Sequence, residues 1–218
     1  LASTGRPSAL HDVLPYDGHD VAAHPGDMQG WGSTDPIFKQ VIAALRPTLI
    51  VEVGTWKGAS AIHMAEVARA LGMATQIICV DTWLGSPEHF LGHEPGSRES
   101  LRLRNGYPQL YFTFLTNVIE HGLTETIIPL PATSENAATI LSDRNIRPDL
   151  VYIDAAHEYG AVKRDLYLYW QLLSDEGVLL GDDYEDWPGV TQAADDFARE
   201  NGLVLMGQPG KFLLAKQR

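Results

Sequence analysis

Apolar and polar positions change period repeatedly along this chain, and the changes mark its elements. From Asp35 to Leu45 the residues Ile37, Val41, Ile42 and Leu45 recur at helical spacing, with Pro36 suited to a first turn and Pro47 ending the run. Thr48–Val53 is a short β-branched strand, Ala59–Leu71 an Ala-rich helix and Gln76–Asp81 a second strand. Leu110–His121 turns Leu110, Phe114, Leu115 and Val118 to one helical face, and Ile127–Pro131 reads as a third strand. Ser134–Leu141 is a short helix that Ser134 can cap, and Leu150–Asp154 is strand four. Tyr159–Leu173 is an amphipathic helix on Val162, Leu166, Tyr169, Trp170 and Leu173; Gly177–Gly181 is strand five and Val190–Glu200 the last helix. Leu203–Met206 and Lys211–Leu214, parted by Gly-Gln-Pro-Gly, form a terminal hairpin.

Strands that alternate with helices imply a mostly parallel sheet covered on both faces, and the hairpin adds an antiparallel strand at or near one edge. Two stretches resist this pattern. Residues 1–33, rich in Gly, Pro, His and Asp, show no sustained period and read as an arm or lid before a single α/β domain over 34–218. Leu84–Tyr107 is too long and polar for an ordinary connection and is a candidate substrate loop. His11, His19 and His24 in the arm match no metal-ligand spacing and read as solvated loop histidines.

Composition narrows the partners. At 218 residues one domain with additions is the economical reading. A net charge of −12 without a Lys/Arg-rich run argues against nucleic acid and anionic membrane surfaces. No window is apolar for the roughly 18 residues a membrane span needs, and Leu1 to Leu14 lacks the pattern of a secretion signal. The single cysteine, Cys79, sits in an apolar strand and forms no intrachain disulfide; with these features a soluble, cytoplasmic protein is expected. A chain starting at Leu1 and not Met is expected to lack a few native residues. Self-association is left open.

The chemistry gathers at the ends of the strands, where open α/β sheets bind ligands. Val-Glu52-Val-Gly54-Thr-Trp-Lys-Gly58 runs from strand through a two-glycine turn into a helix, a place for a small polar ligand on free backbone N–H groups. Neither the dinucleotide fingerprint nor the P-loop pattern is present, and Glu52 beside the turn favours an ammonium or sulfonium over a phosphate. Such glycines also serve packing alone. Asp81 ends strand two, where an acid accepts the two hydroxyls of a ribose. Asp154, Asp182 and Asp183 follow strands four and five; three carboxylates that close invite a hard divalent ion such as Mg²⁺. His157, three residues past Asp154, is placed to act as a general base.

These motifs resemble the class I S-adenosylmethionine-dependent methyltransferases over about Asp35 to Leu214. Within them the chain is similar to the metal-dependent O-methyltransferases of the catechol type and, more closely, of the macrolide-sugar type. Val-Glu-Val-Gly-Thr-Trp-Lys-Gly matches the first family motif, Val80-Asp-Thr-Trp-Leu-Gly the acidic end of the second strand and Ala132-Thr-Ser-Glu the adenine-side loop. Asp154-Ala-Ala-His and Gly181-Asp-Asp-Tyr match the metal and base motifs, with His and a second Asp where the catechol enzymes carry Lys and Asn. The resemblance implies a Rossmann-like seven-stranded sheet and S-adenosylmethionine as cofactor. It places the methionine part on Glu52, Gly54 and nearby backbone, the ribose on Asp81 and the adenine near Trp83, Ser134 and Glu135, with Thr55, Gly58, Ser60 and Asp154 also expected to bind the cofactor. It implies Mg²⁺ on Asp154, Asp182 and Asp183, His157 as base, and a small-molecule hydroxyl acceptor of sugar or natural-product type. His11, Trp31 and the Leu84–Tyr107 loop are placed over the acceptor by elimination. Lys57 has no assigned role. A metal-independent methyltransferase and a binding module stay open, and a nucleotide-dependent oxidoreductase is disfavoured by Glu52 and the missing third glycine.

Overall fold

In a computed structural model, which describes residues 10–92 and 96–216, alternate residues of each strand enter two separate apolar layers, as the period of two requires. Residues 1–9 of the expected arm, residues 93–95 of the long loop and residues 217–218 lie outside the described residues. Helix α1 (Pro36–Leu45) starts where the Asp35 carboxylate accepts from the Ile37 N–H, and ends at Arg46, whose φ of 51° turns the chain out. The order continues β1 (Leu49–Val53), α2 (Ala59–Ala70), β2 (Gln76–Asp81), α3 (Pro87–Leu91), α4 (Ser97–Ser100), α5 (Leu110–Glu120), β3 (Ile127–Pro131), α6 (Ser134–Asp143), β4 (Leu150–Ile153), α7 (Tyr159–Leu172), β5 (Val178–Asp182), α8 (Pro188–Glu200), β6 (Met206–Gln208) and β7 (Lys211–Ala215).

The seven strands form one sheet in the order β3-β2-β1-β4-β5-β7-β6, in which β7 alone runs antiparallel to its neighbours. This is the mostly parallel sheet expected from the pattern, and the Rossmann-like seven strands that the resemblance implies. Val51, Ile78, Val151 and Leu179 pack against α6, α7 and α8 on one face, while Ile50, Ile77, Tyr152 and Leu180 pack against α1, α2 and α5 on the other. Register decides where the chemistry falls. Val53 lies opposite both Val80 and Ile153, and Ile153 opposite Gly181, so Gly54, Asp81, Asp154 and Asp182 emerge along a single edge of the sheet.

Three local readings change. The long loop folds its ends into α3 and α4. The expected strand Leu203–Met206 starts only at Met206, because Leu203 and Leu205 pack on the core and leave the pairing to Met206–Gln208. The arm histidines are partnered: His11 bonds to the Pro129 carbonyl at 2.6 Å, His19 to the Thr116 hydroxyl at 2.8 Å, and His24 stacks on Phe112. Tyr16 is buried with its hydroxyl donating to the Ile127 carbonyl, so the described part of the arm is laid along β3 and α5. Among the described residues no helix is long and apolar enough to cross a membrane.

Candidate active site

A cavity of about 470 Å³ opens above the strand ends. Its walls come from β1 and β2 (Val53–Trp56, Val80–Thr82), the start of α2 (Ala59, Ser60), the arm (Gln29–Trp31, Ser33), the α3 region (Gly85–His89), the α6 start (Ala132–Glu135) and the segment Asp154–Glu158. Gly54, Thr55, Ser60, Asp81, Ser134, Glu135, Asp154 and His157 all lie in this wall. Glu52, Gly58, Trp83, Asp182 and Asp183 do not.

The glycines serve the backbone. A Cβ on Gly54, where φ is +86°, would come within 1.9 Å of the Asp154 carbonyl oxygen, so β1 and β4 can diverge this closely only at glycine. A Cβ on Gly58, with φ of +88°, would meet the Phe114 ring at 2.8 Å. The turn between them is held by Asp81: one carboxylate oxygen accepts from the N–H groups of Thr55 (2.9 Å) and Trp56 (2.8 Å), the other from Trp83 (2.7 Å). Burial pushes the Asp81 carboxyl up and these N–H groups hold it back. Trp83 is a core residue, 1% exposed, whose indole N–H donates to the Trp56 carbonyl; it supports the turn from below and does not reach the cavity.

Glu52 is set one layer behind the wall. It shares the inner face of β1 with Ile50, is fully buried, and accepts from the Ser60 hydroxyl at 2.5 Å and the Cys79 thiol at 3.7 Å. Burial pushes its carboxyl up to about 7, against the pull of these hydrogen bonds. Ser60 stands between Glu52 and the cavity. Ser60 spends its proton on Glu52, so towards the cavity its oxygen presents only acceptor lone pairs, the match for an ammonium.

Lys57, unassigned from sequence, ties the arm to the turn. Its ammonium is 1% exposed and lies 2.7 Å from Asp27, while Asn117 bonds to the backbone of both Asp27 and Lys57. Gln29 accepts from the Trp56 indole, and Trp31 stands 62% exposed at the cavity rim, 6.1 Å from the Trp56 ring. His89 stacks on the same indole at 4.3 Å. His11, by contrast, stays at Pro129 and takes no part in the wall. On the β3 side Thr133 caps α6, and Ser134 instead donates to Asp165, whose carboxyl burial pushes up to about 6. Glu135 pairs with Arg164.

On the β4–β5 side the carboxylates have partners within the protein. Lys211, directly opposite Asp182 in the β5–β7 pairing, makes an ion pair with one Asp182 oxygen, and the Tyr152 hydroxyl lies 2.5 Å from the other and 3.1 Å from Asp154. Burial, then Asp182 and Asp183, push the Asp154 carboxyl well above the usual range. Asp183, at φ of 63°, holds the His157 Nε2 at 3.0 Å, and the imidazole stacks on Trp187 at 4.2 Å. The bond to Asp183 is the main cause raising the His157 pKa. Asp154, Asp182 and Asp183, expected to share one ion, lie close enough to act on one another, with Lys211 and Tyr152 bonded among them. Among the described residues no three His, Cys, Asp or Glu side chains gather so as to hold a metal. Lys211 and Tyr152, which complete the cluster, were missed; only the hairpin register brings Lys211 to Asp182.

Known proteins share the fold. The fold matches the O-methyltransferase NovP at a TM-score of 0.62, with 20% identity over 84% of this chain and 78% of that one. It also matches the O-methyltransferase TomG from Streptomyces achromogenes, solved in complex with SAM, at a TM-score of 0.59 and 12% identity over 88% and 83%. In sequence the chain is 31% identical over 157 residues to the uncharacterized protein y4gI of Sinorhizobium fredii, covering 71% of this chain but 15% of that protein. It is 25% identical over 124 residues to the rhamnosyl O-methyltransferase of Mycobacterium bovis, covering 50% of this chain and 51% of that enzyme. The chain thus spans about half or less of the curated relatives it matches. The family described as "Methyltransferase domain" matches residues 51–184, the stretch that carries the glycine turn, Asp81, His157 and the carboxylate rim, and the chain belongs to that family.

Proposed function

We propose that the chain transfers the methyl group of S-adenosylmethionine to a hydroxyl of a small molecule, a sugar or sugar-bearing natural product. The observation that carries this reading is one cavity with Ser60 in its wall on one side and, on the other, His157, held from behind by Asp183. A rhamnosyl O-methyltransferase among the relatives and a SAM complex among the structures of this fold support the acceptor and the cofactor.

When bound, the cofactor supplies an electrophilic methyl on a sulfonium. Ser60, oriented by Glu52, is assigned its ammonium, and Gly54 and Thr55 border the place of its amino-acid part. Asp81 keeps the turn in shape and is assigned the ribose hydroxyls; Thr133, Ser134 and Glu135 border the adenine place. Asp183 fixes the imidazole of His157, which takes the proton of the acceptor hydroxyl, a role worth about 10²–10⁴ in rate. Trp31 and the Gly85–His89 segment close the acceptor side.

A divalent ion on Asp154, Asp182 and Asp183 does not fit these carboxylates as they are arranged. Both Asp182 oxygens are engaged, by Lys211 and Tyr152, and Asp183 holds His157. Proton removal is therefore assigned to His157 alone. The deciding experiment follows methyl transfer from S-adenosylmethionine to a rhamnoside by mass spectrometry, with and without EDTA. Transfer that survives chelation is expected. Loss of transfer, restored by Mg²⁺, would return an ion to the mechanism, and no cofactor turnover with any hydroxyl acceptor would remove the reading.

A further inference from the structure

The carboxylate rim carries its own cation, and that cation is closed in from every side that the contacts define. Lys211 opens β7 opposite Asp182, with side chains 3% and 11% exposed. The rings of Phe38 and Tyr152 lie 5.9 and 5.8 Å from the ammonium, near enough for their faces to favour a positive charge. Above it runs the arm: Gly32 has φ of +55°, and a Cβ there would stand 3.1 Å from the Lys211 nitrogen and 3.9 Å from Asp182. The Tyr152 hydroxyl joins Asp182 to Asp154, so the position of one carboxylate is transmitted to the other. A lysine so enclosed cannot swing away from Asp182 unless the arm at Gly32 lifts.

We propose that Lys211 is a positioning residue, the resident counter-cation of the Asp154–Asp182–Asp183 rim, and that its charge keeps divalent cations weakly bound there. A divalent ion and an ammonium that share one carboxylate repel each other. At an effective dielectric near 20, removing a unit charge a few ångströms from such an ion changes its affinity by more than about tenfold. The idea concerns ion occupancy and is independent of the acceptor.

The test titrates Mn²⁺ into the full chain and follows the free ion by paramagnetic resonance. Lys211→Met is expected to bind at least about tenfold more tightly than wild type. Lys211→Arg, which keeps the charge, should behave as wild type, and the gain should vanish when Asp154→Asn is added to Lys211→Met. Equal or weaker binding by a Lys211→Met variant with wild-type circular dichroism would overturn the proposal. If that variant fails to fold, the wild type still decides: micromolar Mn²⁺ affinity that Asp154→Asn abolishes overturns it, and the absence of such binding upholds it.

Discussion

The glycine turn and the carboxylate rim sit on neighbouring strands, yet they stabilise buried acids by opposite means. At the turn, Asp81 is held by three backbone N–H groups and Glu52 by a hydroxyl and a thiol, all neutral donors. At the rim, Asp182 faces the ammonium of Lys211 and Asp183 the imidazole of His157. Neutral donors shape a rigid cradle but leave an acid such as Glu52 close to protonation at neutral pH. At the rim the cationic partners sit on Asp182 and Asp183, while burial and these two neighbours push the Asp154 carboxyl well above the usual range. In the proposed reaction the turn holds the cofactor and the rim handles the proton.

The largest expected effect comes from removing the rim's imidazole. His157→Ala should lower turnover by at least about 100-fold while cofactor affinity stays near wild type, as measured by steady-state kinetics beside a binding titration. Unchanged turnover would mean that the rim does not supply the base. Next is the cradle: Asp81→Ala leaves three inward N–H groups without their acceptor and should cost about 2–4 kcal/mol in urea denaturation. A loss below about 0.5 kcal/mol, the range of an ordinary surface change, would show that Asp81 does not hold the turn.

A smaller, pH-dependent effect follows from Glu52. Its folded pKa, about 7, lies above the ordinary carboxyl value of 4.5. Below the ordinary value the group is protonated folded or unfolded, and its contribution to stability is fully present. As pH rises through about 7 the folded protein must accept a buried charge, and that contribution is lost. Glu52→Gln should therefore gain on wild type by up to about 3 kcal/mol between pH 4.5 and 8, in denaturation curves at several pH values. A difference that does not vary with pH would place a cation near Glu52 after all and blur the contrast between the two regions.

Most of the sheet was legible because its strands carry apolar residues at both parities, and its edge because β2, β4 and β5 each end in or run into an aspartate. What the pattern did not reveal depends on depth and register. Glu52 reads as a residue of the strand mouth, yet it shares parity with Ile50 and so points beneath α2. Trp83 looks like a ring for an adenine, but its indole N–H is drawn inward to the Trp56 carbonyl. Lys57 and Lys211 stand alone in the sequence, and their partners come from 30 and 29 residues away. The arm has no period because its fixed points are single side chains, such as Tyr16 on Ile127 and Asp27 on Lys57, each meeting an element far along the chain.

The division between cradle and rim is tested most directly by calorimetric titration of S-adenosylmethionine into wild type, Ser60→Ala and His157→Ala under one set of conditions. Saturable binding by wild type is predicted, weakened about tenfold in Ser60→Ala by the loss of one hydrogen bond to a charged group and unchanged in His157→Ala. No binding by wild type, or an equal loss in both variants, would contradict the account.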